Sequence, residues 1–400
     1  MRRRNPFTKG PYGNIGLPGS REISGQRLAA GGGTMKVVVV VVVSLAVMLQ
    51  TRAPEMTFPG TEWERAASLE ALGWSSEKVA ALEETVKATG THGFMIVTRG
   101  KVIASWADVD RTFLTHSIRK SFMSALYGIA VGEKKIDVER TIGSLGITEK
   151  GVTLTPVELR ARLIDLLKAR SGVYLKAAGE IDSMISERPK RGSHAPDTFW
   201  YYNNWDFNVL GSVFRKLTGE DIFEAIDRRI AKPIGMQDYR AADGEYYFAA
   251  ASEHAGYIFR ISARDLARFG HLYLNRGRWR DTQVIPASWV DASVRSYSTV
   301  AGAQRSLATR TGYGYLWWIQ TSAKEHPELR IPDGTFTASG TGGQRLTVIP
   351  QIDTVIVNLM NTDDERADRL GSDQWDAILA AVLAARLDQR PGGRRKMQTR

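Results

Sequence analysis

The sequence predicts an α+β fold: one antiparallel sheet made from N- and C-terminal segments and flanked by helices, with a mainly helical region inserted between them. Three observations predict it. The apolar runs 94–98 and 102–106 flank Arg99-Gly100-Lys101 and read as a β-hairpin. From Ser117 to about residue 290 the spacing is mostly helical, with long loops. Beyond Gly312, the β-branched and aromatic segments 313–320, 335–339, 344–349 and 354–360 read as strands, and 373–387 as a closing amphipathic helix. The cleft of such a molecule lies where the sheet meets the inserted region.

Along the chain, residues 1–34 are rich in Gly and Arg and read as a disordered basic extension. Met35 is a natural start, and Met35-Lys36 leads into a 13-residue apolar run, 37–49, followed by Gln50-Thr51-Arg52-Ala53. That run is shorter than the roughly 20 residues a membrane span needs. It has the form of a secretory signal over 35–53, and the expected location is exported, periplasmic or secreted, with membrane contact only through this segment. The folded body is placed at 54–389 and a basic disordered tail at 390–400. Net charge is +11 for the whole chain, but the ends carry it, and residues 54–389 sum to −1. A near-neutral body excludes nucleic acid as the expected partner. The chain has no cysteine, hence no disulfide and no thiolate metal site.

Within the body, 75–89 reads as a helix. Ser75-Ser76-Glu77-Lys78 opens it, with a serine placed as its N-cap. Further helices are expected at 155–162, 163–169, 207–217, 221–230 and 263–274. The informative run is Ser117-Ile118-Arg119-Lys120, at the start of the apolar stretch 122–131. Three residues apart on a helix, Ser117 and Lys120 share a face. A lysine in apolar surroundings loses its proton readily, and a nearby neutral amine can activate a serine. Tyr202-Asn203-Asn204 precedes a helix and offers Tyr202 and Asn204 to the same cleft. A phenol beside a lysine ammonium is expected to ionise more easily and to relay protons. Ser339-Gly340-Thr341-Gly342-Gly343-Gln344 leads into a strand. Its Gly342 and Gly343 allow close backbone approach, and the Gly343 N–H is expected to join the Ser117 N–H in an oxyanion hole.

In order and placement these three elements resemble the serine β-lactamase-like superfamily: class C β-lactamases, D-Ala-D-Ala carboxypeptidases, family VIII esterases and 6-aminohexanoate-dimer hydrolases. The signature S-x-x-K, Y-x-N, K/H-x-G falls on Ser117/Lys120, Tyr202/Asn204 and the glycines at 340–343. The flanks Ser171-Gly172-Val173-Tyr174, Pro233-Ile234-Gly235-Met236 and Gly342-Gly343-Gln344 agree. The resemblance spans about residues 60–388 and implies a β-lactamase/transpeptidase-like fold and a serine hydrolase that forms an acyl-enzyme without cofactor or metal. It also implies that Asn204 holds Lys120 and the substrate. Tyr174 is either a substrate contact or a packing residue. Aligned on Gly342, the third motif has Gly340 where the family carries Lys or His, which favours small esters or amides of the 6-aminohexanoate-dimer-hydrolase and esterase branch. Arg345 stands as a substitute cation if it faces the cleft. The alternatives are a β-lactamase or D-Ala-D-Ala carboxypeptidase, and an idle binding or sensor protein on the same fold. Lys120 and Tyr202 both remain open as the resting base.

No G-x-S-x-G elbow occurs, and the six histidines show no metal-binding spacing. His116 is placed on another helix face from Ser117, and His254 is a candidate for the cleft wall.

Overall fold

The computed structural model describes residues 56–363 and 369–387. The expected basic extension, signal segment and basic tail lie outside these residues. No helix among the described residues is long and apolar enough to cross a membrane.

The strands, in chain order, are β1 (Gly93–Thr98), β2 (Lys101–Ala107), β3 (Thr112–Leu114), β4 (Glu245–Ala249), β5 (Ser252–Ile258), β6 (Arg260–Ser262), β7 (Arg278–Trp279), β8 (Thr282–Gln283), β9 (Ser298–Thr299), β10 (Gly312–Tyr313), β11 (Trp318–Ile319), β12 (Phe336–Gly340), β13 (Gln344–Ile349) and β14 (Thr354–Leu359). Eight form the main antiparallel sheet in the order β2-β1-β14-β13-β12-β11-β10-β9. The N-terminal hairpin thus closes against the last strand, as the sequence predicts. The helices are α1 (Ser76–Lys87), α2 (Arg119–Gly132), α3 (Leu163–Leu167), α4 (Asp182–Glu187), α5 (Asn204–Thr218), α6 (Ile222–Ile226), α7 (Lys232–Ile234), α8 (Ala263–Leu274), α9 (Ala287–Ser293) and α10 (Ser372–Ala384).

Alternation along the central strands sends side chains into two cores. Phe94 and Ile96 of β1 and Ile356 of β14 pack with Val79, Leu82, Trp375 and Leu379, beneath α1 and α10. Met95, Val97, Val355 and Val357 turn to the other face, against α8 and the inserted helices. Both faces are buried, so these strands read as unbroken apolar runs rather than alternating ones. A glycine sets the approach of α8: a Cβ on Gly270 would lie 2.6 Å from both Leu346 Cδ1 and Val355 Cγ1. Ser75 caps α1, its hydroxyl accepting from Lys78 N–H at 3.3 Å, so the second S-x-x-K is structural.

Several elements depart from expectation. The 155–162 helix is only a 3-10 turn, Glu158–Arg160, because the amides of Ile142 and Gly143 take the carbonyls of Ala161 and Leu159. The segment expected as one strand at 313–320 folds into β10 and β11, joined by a tight turn with Leu316 at φ 64°. The helix expected at 221–230 changes at Asp227 into a π-helical turn, Asp227–Ala231. The inserted region also holds the hairpin β4-β5 and the pair β3-β6.

Trp375 is fully buried, and its indole N–H donates to Thr347 Oγ1 at 3.2 Å. Trp375→Ala should therefore lower unfolding stability by about 3–5 kcal/mol in urea titration. Phe248→Ala, at a side chain 72% exposed, should leave the urea midpoint in place.

Candidate active site

Ser117 sits in a 3-10 turn, His116–Ile118, that runs directly into α2. His116 holds φ at 45°, an uncommon conformation for a non-glycine residue, and this turns the chain into the helix. The first amides of the helix face the serine with the positive end of its dipole. Ser117 is half-buried and opens on a cleft of ≈ 230 Å³ that it shares with Tyr202, Trp318, Arg310, Arg345 and the strand end 339–342.

Lys120, one turn on, is 1% exposed. Its Nζ lies 2.8 Å from Ser117 Oγ and 2.8 Å from Tyr202 Oη. It also stands over the rings of Tyr202 and Phe207, 4.4 and 4.7 Å from their centroids. It forms no ion pair among the described residues. Burial first, and the Arg119 charge second, hold its pKa well below that of an ordinary lysine. The amine is therefore set up to be neutral, as its apolar surroundings predict.

Tyr202 lies in the extended segment before α5, packed against Trp318 and Phe207 at 4.9 and 5.0 Å between ring centroids. Its phenol departs from expectation, because burial pushes its pKa up. The Ser117 hydroxyl and the charges of Arg119 and Arg310 act against that rise without overcoming it. Burial thus moves the two groups in opposite directions, the lysine down and the phenol up, and both shifts favour the uncharged pair.

Asn203, between the two expected residues, caps α5 through Trp205 N–H at 3.2 Å and donates to the Val173 carbonyl at 2.7 Å. It ties Tyr202 to the Ser171–Val173 loop. Asn204 was expected to hold Lys120. Instead its Nδ2 donates to the Gly179 carbonyl at 2.5 Å, and its buried Oδ1 has no partner. The loop carbonyls at 178–179 draw the amide away from the lysine. Tyr174 packs rather than lining the cleft: its hydroxyl meets His194 Nδ1 at 3.2 Å and its ring meets Tyr201 edge-on.

The glycine segment is shifted by two residues from its expected alignment. A Cβ on Gly340 would lie 2.5 Å from the Thr115 carbonyl and 3.2 Å from His116 Cβ, so Gly340 is the glycine that seats β12 against the serine's turn. Gly342 lines the cleft with φ 85°. Gly343 does not line it, and its carbonyl accepts from Asn358 Nδ2 at 2.8 Å. Strand register places the free donors. Gln320 N–H donates to Thr335 C=O, so odd-numbered residues of this strand turn their backbone groups toward β11. Pairing with β11 stops at Thr337. The backbone groups of Ser339 therefore point past the end of β11, toward the cleft, which Thr341 in the following turn also lines. With Gly340 as the motif's glycine, Ala338 holds the position of the usual cation. That position is therefore Ala338 rather than Gly340, and it carries no charge either.

Arg345 does line the cleft, 4% exposed. His116 is neutral, its pKa pushed down to about 4 chiefly by burial, and its Nε2 meets Thr362 Oγ1 at 2.7 Å. His254 is a core residue, held by Ser212 Oγ and the Thr148 carbonyl at 2.9 Å each. Sequence reasoning missed Arg310 and the cleft-lining Ser183, Gln304 and Ser372. No spacing marks Arg310, which arrives on a loop that Asp376 of α10 pins through Ala308 N–H at 2.8 Å.

The family model described as beta-lactamase matches residues 79–393. A 6-aminohexanoate-dimer hydrolase from Paenarthrobacter ureafaciens is 24% identical over 372 residues, covering 85% of this chain and 88% of that protein. Among solved structures, a beta-lactamase from Mycobacterium bovis is similar with a TM-score of 0.53 at 18% identity, covering 76% of this chain and 98% of that one. EstCE1, described as a hydrolase with promiscuous acyltransferase activity, is similar with a TM-score of 0.55 at 14% identity, covering 78% of this chain and 98% of that one. These likenesses carry the β-lactamase/transpeptidase-like fold. With the family model matching well over half of its length, the chain belongs to the beta-lactamase family, whose members are serine hydrolases.

Proposed function

We propose that this protein cleaves a small ester or amide through an acyl-enzyme on Ser117, in the manner of the 6-aminohexanoate-dimer-hydrolase and esterase branch of its family. One observation carries the reading: a buried lysine with no ion-pair partner among the described residues, 2.8 Å from both a serine hydroxyl and a tyrosine hydroxyl. A neutral amine with a lone pair facing a serine is a general base in place.

Lys120 is the resting base. The Ser117 hydroxyl gives its proton to Lys120 Nζ while Oγ attacks the substrate carbonyl. The oxygen that gains charge is met by the N–H of Ser117 and, because Thr341 lines the cleft and Gly343 does not, by the N–H of Thr341. The proton then passes from Lys120 through the Tyr202 hydroxyl to the leaving oxygen or nitrogen, and the C–O or C–N bond breaks. Water attacks the acyl-enzyme, its proton returns along the same pair, and Ser117 is freed. The neutral phenol serves as a relay rather than as a standing phenolate. The support for a small ester or amide is the apolar Ala338 at the third motif and the similarity to a 6-aminohexanoate-dimer hydrolase.

Ser117→Ala should reduce p-nitrophenyl butyrate hydrolysis by about 10³-fold or more and abolish labelling by a serine-directed fluorophosphonate. Full activity in that variant contradicts the mechanism. Tyr202→Phe, which removes the relay and keeps the ring packing, should lower kcat by about 10²-fold or more.

The pH profile follows from the lysine. kcat/KM should rise with pH as Lys120 loses its proton, and level off well below the pH at which an ordinary lysine titrates. Arg119→Met removes a charge that lowers the lysine's proton affinity, so it should move the rising limb to higher pH. A limb that stays in place rules out Lys120 as its origin.

A further inference from the structure

A second cavity opens off the cleft. Its volume is ≈ 180 Å³, and it shares Met184, Tyr202 and Gln304 with the cleft that holds Ser117. Three segments build it: α4, residues 199–202 ahead of α5, and the loop 301–304. The run Phe199-Trp200-Tyr201-Tyr202 gives its wall four consecutive aromatic residues. Phe199 stacks on His194, with ring centres 4.1 Å apart and planes at 11°, and is still 42% exposed. Ile181, on the wall of the adjoining cleft, is as exposed as Phe199. Large apolar side chains left open together beside a cavity mark a place where an apolar ligand is met.

The polar groups of the walls are bonded to one another. The Tyr201 hydroxyl donates to the Met184 carbonyl at 2.6 Å, Gln304 Nε2 to Ser183 Oγ at 3.2 Å, and the Ala303 N–H to Glu187 Oε1 at 2.7 Å. These bonds tie the three segments together and fix the shape of the cavity before any ligand arrives. They also leave little for a polar ligand to bond. Glu187 is the one charged residue among the described residues lining the cavity, and its carboxylate is engaged by Ala303. Apolar cavities of about 150 Å³ in other proteins take up benzene, so this one has room for a single aromatic ring.

We propose that this cavity is a subsite for an uncharged aromatic ring on the leaving group, so that the substrate is an ester or amide of an aromatic alcohol or amine. This rests on the hydrolase reading above and narrows its substrate class. Tyr202 fixes the side: it is a wall of both cavities, and it is the group that hands the proton to the leaving atom. Ser117 Oγ bonds to the substrate carbonyl carbon, the bond from that carbon to the leaving oxygen or nitrogen breaks, and the Tyr202 proton goes to the leaving atom. The aromatic alcohol or amine then departs from the cavity, and water releases the acyl group as its acid. The ring is held by the area it removes from water and by its contacts with the aromatic wall.

The test compares benzyl acetate with ethyl acetate. They share an acyl group and leave as alkoxides of similar basicity, so the ring acts through binding. Benzyl acetate should exceed ethyl acetate in kcat/KM by about 10-fold or more. Ethyl phenylacetate, with the ring on the acyl side, should show no such excess. Ala301→Leu adds bulk to the wall from an exposed position, and Phe199→Ala removes part of the wall. Each should cut the benzyl-to-ethyl ratio by about 3-fold or more. Phe248→Ala, at a side chain 72% exposed and outside both cavities, should leave the ratio unchanged. Equal rates on the two acetates overturn the subsite. So does an equal or larger excess for ethyl phenylacetate, or a ratio that neither Ala301→Leu nor Phe199→Ala moves.

Binding of the ring is read without turnover in Ser117→Ala. With methionine methyls labelled with ¹³C, and the Met184 signal assigned by its loss in Met184→Leu, benzyl alcohol should shift that signal through its ring current. The shift should be lost when Ala301→Leu is added. A Met184 signal that benzyl alcohol leaves in place overturns the proposal. If ester turnover depends on Ser117 but shows no preference for the ring, the subsite alone falls. If turnover survives Ser117→Ala, the hydrolase reading falls instead, and the Met184 shift decides the subsite by itself.

Discussion

The candidate site depends on one constraint: Lys120 is buried with no carboxylate paired to it among the described residues. Desolvation disfavours the charged form by several kcal/mol for a fully buried group. The amine escapes that cost by giving up its proton, and a neutral amine is the state a general base needs. The same burial raises the phenol of Tyr202, so both groups rest uncharged, 2.8 Å apart. With neither member charged at rest, the amine is free to accept the Ser117 proton and the phenol to donate its own. The enclosure also removes the need for a histidine, and the nearest in sequence, His116, serves instead to hold the turn against Thr362.

The fold supplies this enclosure from two directions. The apolar stretch of α2 runs into the larger core, so Lys120 is buried along with Phe122, Met123 and Leu126. From the other side, β12 comes edge-on to the serine's turn, at a distance only glycine permits at position 340. Pairing with β11 stops at Thr337, short of the end of β12 at Gly340, and the backbone of β12 is left facing the cleft where a carbonyl oxygen would develop charge. Sheet register and helix burial are therefore part of the chemistry as much as of stability.

What could be read from the sequence followed from periodicity. Ser117 and Lys120 declare themselves by three-residue spacing on an apolar helix, and the hairpin at Arg99-Gly100 and the strands β13 and β14 by their apolar runs. The glycine segment was harder. Ser339-Gly340-Thr341-Gly342-Gly343 offers three glycines, and only strand pairing shows that Gly340 packs on the nucleophile's turn while Gly343 faces Leu370 and Met360. Asn204 was misread because an amide accepts many partners, and the carbonyls at 178–179 compete for it. The hairpin β4-β5 was missed because Ser252–Ile258 mixes polar and apolar residues without alternation. Arg310 had no signal at all. Its place is fixed by a contact 68 residues away in sequence, between Ala308 and Asp376.

The measurement that bears most directly on this account is the ionisation of Lys120 itself. Lysine labelled with ¹³C at Cε, with the Lys120 resonance assigned by its loss in Lys120→Arg, reports the charge of the amine by NMR as pH is changed. The account predicts that Lys120 shows the chemical shift of a neutral amine at neutral pH, while exposed lysines stay protonated until about pH 10. A Lys120 that titrates together with the surface lysines would contradict it, because a charged lysine cannot take the Ser117 proton.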